Sequence, residues 1–320
     1  MKRYLLPESG HFYKANLHSH STVSDGVLSP EEVKAAYLAL GYHAVCFTDH
    51  DLLVPHEELC DDSFVALHGY EVGVCKTPGE GAHVKMPVYH LNLIAREQKN
   101  HTMVTVPPEK ALSPERARAW FEKSAKYDTE WLNGYVKAAN EAGFLVNYNH
   151  PQWSLQTMED YIGLRGLFGI EVINGGALPW GDNTSIHMET MLRHGIDVLP
   201  VAGDDNHSPH ECGLCFTMIK APALTYADLI SALERGDFYT SEGPEISELS
   251  LEDGFFTIRT DTPSTVTLLS ESRHYRRAEN TTCAKLEFKP SSAGEYVRFE
   301  VKDATGKKAF TRAYKTKDFT

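Results

Sequence analysis

Between Phe12 and Phe238, short apolar runs rich in β-branched and aromatic residues alternate with stretches of helical periodicity, and this alternation constrains the chain more than any other feature. The runs are FYKANL, HAVCFT, FVALHGYEVGV, MPVYHLNLI, FLVNYN, FGIEVIN, DVLPVAG and LCFTMIK. Strands with helices between them return by crossovers rather than tight hairpins, which predicts βα units around a mostly parallel sheet or barrel. The clearest helix is PEEVKAAYLAL, with Ser29 as N-cap, Pro30 in the first turn, Glu32 closing a capping box and Gly41 past the end. Further helices are predicted in EWLNGYVKAANEAG, SIHMETMLRHG and YADLISALERG, each running to a glycine or just short of one.

Two segments leave this pattern. From Asn100 to Asp128 the chain is charged and carries Pro107, Pro108 and Pro114, so it reads as a partly helical insertion, either covering a site or making a surface excursion. From about Ser241 the runs turn short and alternating (FFTIRT, STVTLL, AKLEFK, YVRFEV, AFTRAY), separated by turn signals such as EDG, SSAGE and DATG. This predicts a small β-sandwich-like domain over 241–320, following a first domain over 1–240.

Composition narrows the function. The chain has 320 residues, room for one large core or a large and a small one. It has no apolar run of about 18 residues to cross a bilayer, and its start, MKRYLLPESGHFYK, turns polar too soon for a secretory signal, so a cytoplasmic protein with no membrane partner is expected. Lys and Arg total 31 against 44 Asp and Glu, a net charge of -13 that opposes tracking along a phosphate backbone, so long nucleic acid is not the expected partner. Cys46, Cys60, Cys75, Cys212, Cys215 and Cys283 follow no disulfide framework, which predicts reduced thiols. Cys212 and Cys215 form a CxxC without a partner pair, and its apolar setting, CGLCFTMI, reads as a buried strand rather than a redox or zinc site.

Five of the 16 histidines stand where strands stop. FYKANL runs into His18, His20 and Asp25; HAVCFT into Asp49, His50 and Asp51; FLVNYN into His150; DVLPVAG into Asp204, Asp205 and His207. In a βα barrel, the C-terminal strand ends converge on one rim. Glu71 and His90 lie inside apolar runs, and an unpaired buried carboxylate costs several kcal/mol, roughly, so Glu71 needs a partner such as a metal ion. On an extended segment His18 and His20 share a face while Ser19 points away. Imidazoles and carboxylates without thiols suit Zn, Mn or Fe.

Through LHSHSTVSDG, FTDHD, GYEVGV, VYHLNLI, YNHP and AGDDNH, from Phe12 to about Phe238, the chain resembles the PHP family, named for polymerase and histidinol phosphatase. The resemblance implies a distorted (β/α)7 barrel of mixed α/β class holding two or three divalent metal ions in a phosphoesterase site. Carried onto this sequence, it assigns His18, His20, Glu71 and Asp205 to one ion. Glu71 would bridge to a second, completed by His90 and His150, and Asp25, His50 and His207 would hold the third. The last motif departs from the usual GSDAH by placing Asp204 where a serine is common. His83, in the nearby GEGAH loop, competes with His90 for the sixth position. His83, His207 and Asp204 are the candidates for a catalytic general acid.

Other polar residues carry weaker signals. Asp49 or Asp51 is expected to orient His50, and Glu171 and Asn174 end a strand at the rim, for contact with the site or for packing. Packing or surface roles are expected for His187 and His194, on a helix, and for His56, His68, His101 and His210, outside any motif. Arg96, Arg165 and Arg193 are candidate phosphate partners. The function implied by the resemblance is hydrolysis of a small phosphoester, either a phosphomonoester or a nucleotide, by water activated at the metals. Two other readings stand beside it: an amidohydrolase-type C–N hydrolase, which also opens with HxH but bridges its metals through a carboxylated lysine, and a metal-stabilised, non-catalytic binding module.

Overall fold

A computed structural model of the chain describes residues 2–76, 85–106, 113–178 and 184–319. Its strands are β1 (Arg3–Tyr4), β2 (His11–Ser19), β3 (Ala44–Phe47), β4 (Val65–Cys75), β5 (Val88–Ala95), β6 (Phe144–Tyr148), β7 (Gly169–Asn174) and β8 (Leu199–Gly203). They continue with β9 (Phe216–Ala221), β10 (Phe238–Ser241), β11 (Ile246–Glu252), β12 (Phe255–Ser270), β13 (Tyr275–Glu287), β14 (Tyr296–Asp303) and β15 (Lys308–Thr311). The result is a mixed α/β fold built on a large sheet in which β2 to β8 are neighbours in chain order.

The pairing is parallel from β2 to β4 and from β6 to β8, as alternating βα units require. It departs from the expected parallel pattern at β5, which runs antiparallel to both β4 and β6. Beyond β8 the backbone turns back onto β2. The Asp205 amide donates to the His18 carbonyl at 2.9 Å and the His20 amide to the Asn206 carbonyl at 3.2 Å. Ser19, at the end of β2, and Asn206, just past the end of β8, form an isolated parallel bridge.

LCFTMIK does not extend the series. As β9 it pairs antiparallel with the far edge of β2, then with β10, and the sheet continues outward through β15, β14, β12, β11 and β1. Cys212 to Cys215 lie ahead of β9 rather than within it, and all six cysteines are free. FFTIRT and STVTLL, expected as separate strands, run as one 16-residue strand, β12. Its register breaks between Arg259 and Ser264, around Pro263, which has no N–H to offer a ladder.

The helices follow their sequence signals. Pro30–Ala39 starts at Ser29 with both halves of the capping box formed, and Tyr226–Arg235 stops at Gly236, whose φ of 71° is left-handed. Within the 100–128 segment, residues 107–112 lie outside the described residues. Its helix Pro114–Ser124 buries Ala117 and Phe121 in the core that covers β4 to β6, so this part is packed rather than a bare excursion. Among the described residues no helix is long and apolar enough to cross a membrane.

Candidate metal centre

The rim groups meet because each strand ends in a backbone path held by a specific bond. Asn16 Oδ1 accepts from the amides of both His18 and Asp204, tying the end of β2 to the end of β8. Gly203 makes this approach possible, since a Cβ there would overlap the His18 side chain. Asp51, His150 and Asp205 all have left-handed φ, at 55°, 22° and 53°. Such backbone persists where the surroundings over-determine it. Here the Asp51 amide donates to the Glu71 carbonyl, the His150 amide to Glu171 Oε2 and the Asp205 amide to the His18 carbonyl.

Glu71 is the hub, and its side chain is almost wholly closed off from solvent. Its Oε1 lies 3.5 Å from His18 Nε2, 3.0 Å from His90 Nδ1 and 3.5 Å from His150 Nε2, and accepts from Asn149 Nδ2 at 2.7 Å. Its Oε2 lies 3.4 Å from His20 Nε2 and 3.1 Å from His50 Nδ1. Asp205 Oδ1 is 3.2 Å from His18 Nε2 and 3.1 Å from His20 Nε2, and those two nitrogens are 3.1 Å from each other.

Four overlapping sets of potential ligand atoms result, of which three bear on the expected groups: His18, His20, Glu71 and Asp205; Glu71, His90 and His150; and His20, Asp25, His50 and His207; the fourth is His18, His150 and Glu171. The first two hold the residues expected of them. The third adds His20, whose Nδ1 faces Asp25 Oδ1 at 3.8 Å. Zinc bonds of about 2.1 Å in a tetrahedron set neighbouring ligand atoms about 3.4 Å apart. The 3.0–3.5 Å separations around Glu71 in the first two sets fit that spacing, so the donor set fits divalent metal ions.

Electrostatics support the same reading. Burial pushes the Glu71 and Asp205 carboxyls up, but the imidazoles around them outweigh it and hold both well below the usual carboxylate range. Burial opposes charge on His20 as well, yet Asp205 and Glu71 draw its pKa up to about 9. Carboxylates packed this closely among imidazoles demand positive charge, from protons or from a metal in their place.

Several roles differ from expectation. Asp204 is fully buried and turned away from the rim. Its carboxylate accepts from the Tyr37 hydroxyl at 2.8 Å and from the amides of Gly213, Leu214 and Cys215 at 2.6, 3.0 and 2.8 Å. The expected general-acid role therefore has no geometry, because the lone pairs are committed to donors that shape the Cys212–Cys215 loop. Burial pushes this carboxyl up to about 6 despite those donors. Asp49 does not orient His50; it accepts from the amides and hydroxyls of Ser21 and Ser24 and so holds the turn that presents Asp25. His83 lies outside the described residues. His207, about one-third exposed, faces Asp25 Oδ1 at 3.4 Å.

Sequence reasoning left Glu171 undecided, and the structure makes it a partner of the centre. Its Oε1 meets His18 Nδ1 at 2.7 Å, which puts the ring proton on Nδ1 and leaves Nε2 free as a ligand. Asn174 Nδ2 donates to Glu171 at 2.9 Å and to Asp205 at 3.3 Å. The signal available was a carboxylate inside the apolar run FGIEVIN, the same pattern that marked Glu71.

Above the cluster opens a cavity of about 510 Å³, bounded by Asp25, His50, Asp51, Glu71, His90, His150, Asp205 and His207 on its polar side and by Val88, Cys75 and Trp153 on the other. No lysine or arginine lines it among the described residues. Arg96 is bound to Glu234, Arg165 to backbone carbonyls and Arg193 to Glu189, so none of these acts as a phosphate partner here.

Fold and site together define an α/β protein whose strand ends build a clustered imidazole–carboxylate centre suited to divalent ions. Residues 16–161 match the PHP domain. It is 28% identical over 161 residues to a 5'-3' exoribonuclease from Haemophilus influenzae, a match covering 47% of this chain and 57% of that protein. The chain thus spans little more than half the length of this curated relative. Among solved structures, it is similar to a two-domain protein containing a predicted PHP-like metal-dependent phosphoesterase from Bacteroides vulgatus, with a TM-score of 0.45, 14% identity, and 97% and 98% of the two chains covered. It is also similar to a lesion-specific endonuclease from Pyrococcus furiosus, with a TM-score of 0.41, 17% identity, and 70% of this chain and 56% of that one covered.

Proposed function

We propose that this protein is a metal-dependent phosphoesterase acting on a small phosphomonoester or nucleotide in a trinuclear site. The observation that carries the reading is the convergence of three ligand sets on Glu71 and His20 beneath one open cavity. Divalent ions there would lower the pKa of a bound water toward neutrality and neutralise phosphoryl oxygens. The chain's own residues do the positioning: Glu171 fixes the tautomer of His18, Asn149 and Asn174 orient Glu71 and Asp205, and Asp49 holds the turn carrying Asp25. A cavity lined by Asp25, Asp51, Glu71 and Asp205, with no lysine or arginine among the described residues, relies on bound cations to attract phosphate. Trp153 offers an aromatic wall for the rest of the substrate.

Within this reading β2 to β8 form a distorted (β/α)7 barrel, supported by the Ser19–Asn206 bridge, over a domain of residues 1–240, and residues 241–320 form a β-sandwich-like companion. The exoribonuclease activity of the Haemophilus influenzae relative favours a second substrate arm, a short RNA end, entering the same cavity. The test is a hydrolysis panel of p-nitrophenyl phosphate, mononucleotides, short RNA and small amides, each with added Zn, Mn or Fe. Phosphate release from mononucleotides or p-nitrophenyl phosphate, lost in Asp205→Ala, is expected. Amide hydrolysis alone, or bound metal with no turnover of any substrate, overturns the proposal.

A further inference from the structure

Outside the main cluster, one other group of described residues brings metal-ligating atoms together. Glu57 stands on a short 3-10 helix, Glu57–Leu59; His68 is on β4; His101 follows β5 at the start of the 100–128 segment. One ligand atom from each lies within 4.8 Å of the others. His101 Nε2 is 2.9 Å from Glu57 Oε1, and the His68 and His101 ring centroids are 6.0 Å apart. None of the three lines the main cavity.

His68 is the unusual member. Its side chain is wholly buried, yet neither ring nitrogen makes a hydrogen bond of ordinary geometry, the Gln98 backbone being no more than a weak partner. Buried imidazoles normally satisfy at least one nitrogen, and a surface ion pair between His101 and Glu57 explains nothing about this ring. Two imidazoles and one carboxylate, with a fourth position open to water, form a tetrahedral zinc-type donor set.

We propose that Glu57, His68 and His101 form a second, peripheral site for one divalent zinc-type ion. The ion joins three separate parts of the chain: the stretch between β3 and β4, β4 itself and the root of the 100–128 segment. The helix of that segment, Pro114–Ser124, packs Ala117 and Phe121 into the core that covers β4 to β6, so the peripheral ion ties the base of a packed element to β4.

The experiment counts zinc per chain by mass spectrometry after equilibration with buffered zinc, for the unmodified protein, His101→Ala, Glu57→Gln and Asp205→Ala, with circular dichroism as the check on folding. His101 and Glu57 are substantially exposed, so these two variants keep the test independent of core packing. His101→Ala and Glu57→Gln are expected to hold one equivalent fewer than the unmodified protein and to keep its hydrolytic activity. Adding His101→Ala to Asp205→Ala is expected to remove one further equivalent. Equal zinc content in the unmodified protein and His101→Ala overturns the peripheral site. Equal content in the unmodified protein and Asp205→Ala overturns the main-centre reading instead, and leaves this one standing.

Discussion

Glu171 Oε1 stands 2.7 Å from His18 Nδ1, with both side chains sealed from solvent. The carboxylate selects the tautomer whose Nε2 lone pair points at His20, Glu71 and Asp205. Orienting partners of this kind are typically worth about 10–100-fold in metal affinity. Glu171→Gln is therefore expected to weaken metal binding and turnover by roughly that factor in a folded protein. Calorimetric metal titration of the two proteins checks it, and unchanged affinity removes Glu171 from the centre.

Asp25 is more than half exposed and faces His50, His207 and His20, whereas His18 and Asp205 sit on the opposite, buried side of His20. Asp25→Ala is expected to lose one ion from the main centre while the ion between His18 and His20 stays. Counting bound metal per chain decides it, since loss of every ion would mean that the sets act as one cooperative unit.

Asp204 separates a structural role from a catalytic one. Asn at this position sets an NH2 against donors from the loop of Gly213 to Cys215, at a cost of roughly 1–3 kcal/mol. Urea unfolding of Asp204→Asn is expected to show that loss, with turnover per folded molecule close to the unmodified level. A fall in kcat without loss of stability would return Asp204 to the list of proton donors.

Glu189 gives a pH signature remote from the metals. On the helix Thr184–Arg193 it accepts from Arg298 Nε and from the Tyr296 hydroxyl, each at 2.9 Å. Burial raises its pKa, but Arg298 outweighs this and holds the carboxyl below its ordinary value of 4.5. A depressed folded pKa gives stability that is full above the unfolded value and is lost as pH falls through the folded one. Glu189→Gln is expected to cost roughly 1–3 kcal/mol at neutral pH. Its deficit should shrink once the solution is acidic enough to protonate Glu189 in the folded protein. Paired denaturation curves at neutral pH and at about pH 3 test this, and a deficit independent of pH rules out the ion pair as its source.

The strands β2 to β8 and the capped helices were legible because their signals are local: alternation, a capping box at Ser29, a glycine after Arg235. Clustering of ligands was legible too, since His18, His50, His150 and Asp205 each follow an apolar run and such ends share one rim. The reversed direction of β5 and the diversion of β9 to the outer edge of β2 were not legible, because apolar runs look alike whichever way they pair.

The sequence by itself determined which residue types arrive at the rim, since a strand's end is set by short-range pattern and turn chemistry. Only the tertiary structure decided what each one faces. It turned Asp204 inward to the Cys212–Cys215 loop, set Asp49 beneath Ser21 and Ser24, and put Glu171 behind His18. It also brought His68 and His101 together, though they stand 33 positions apart and outside any motif. The physical reason is that side-chain direction and ångström-scale approach arise from packing between elements distant in sequence, and no local propensity encodes a contact such as Gly203 against His18.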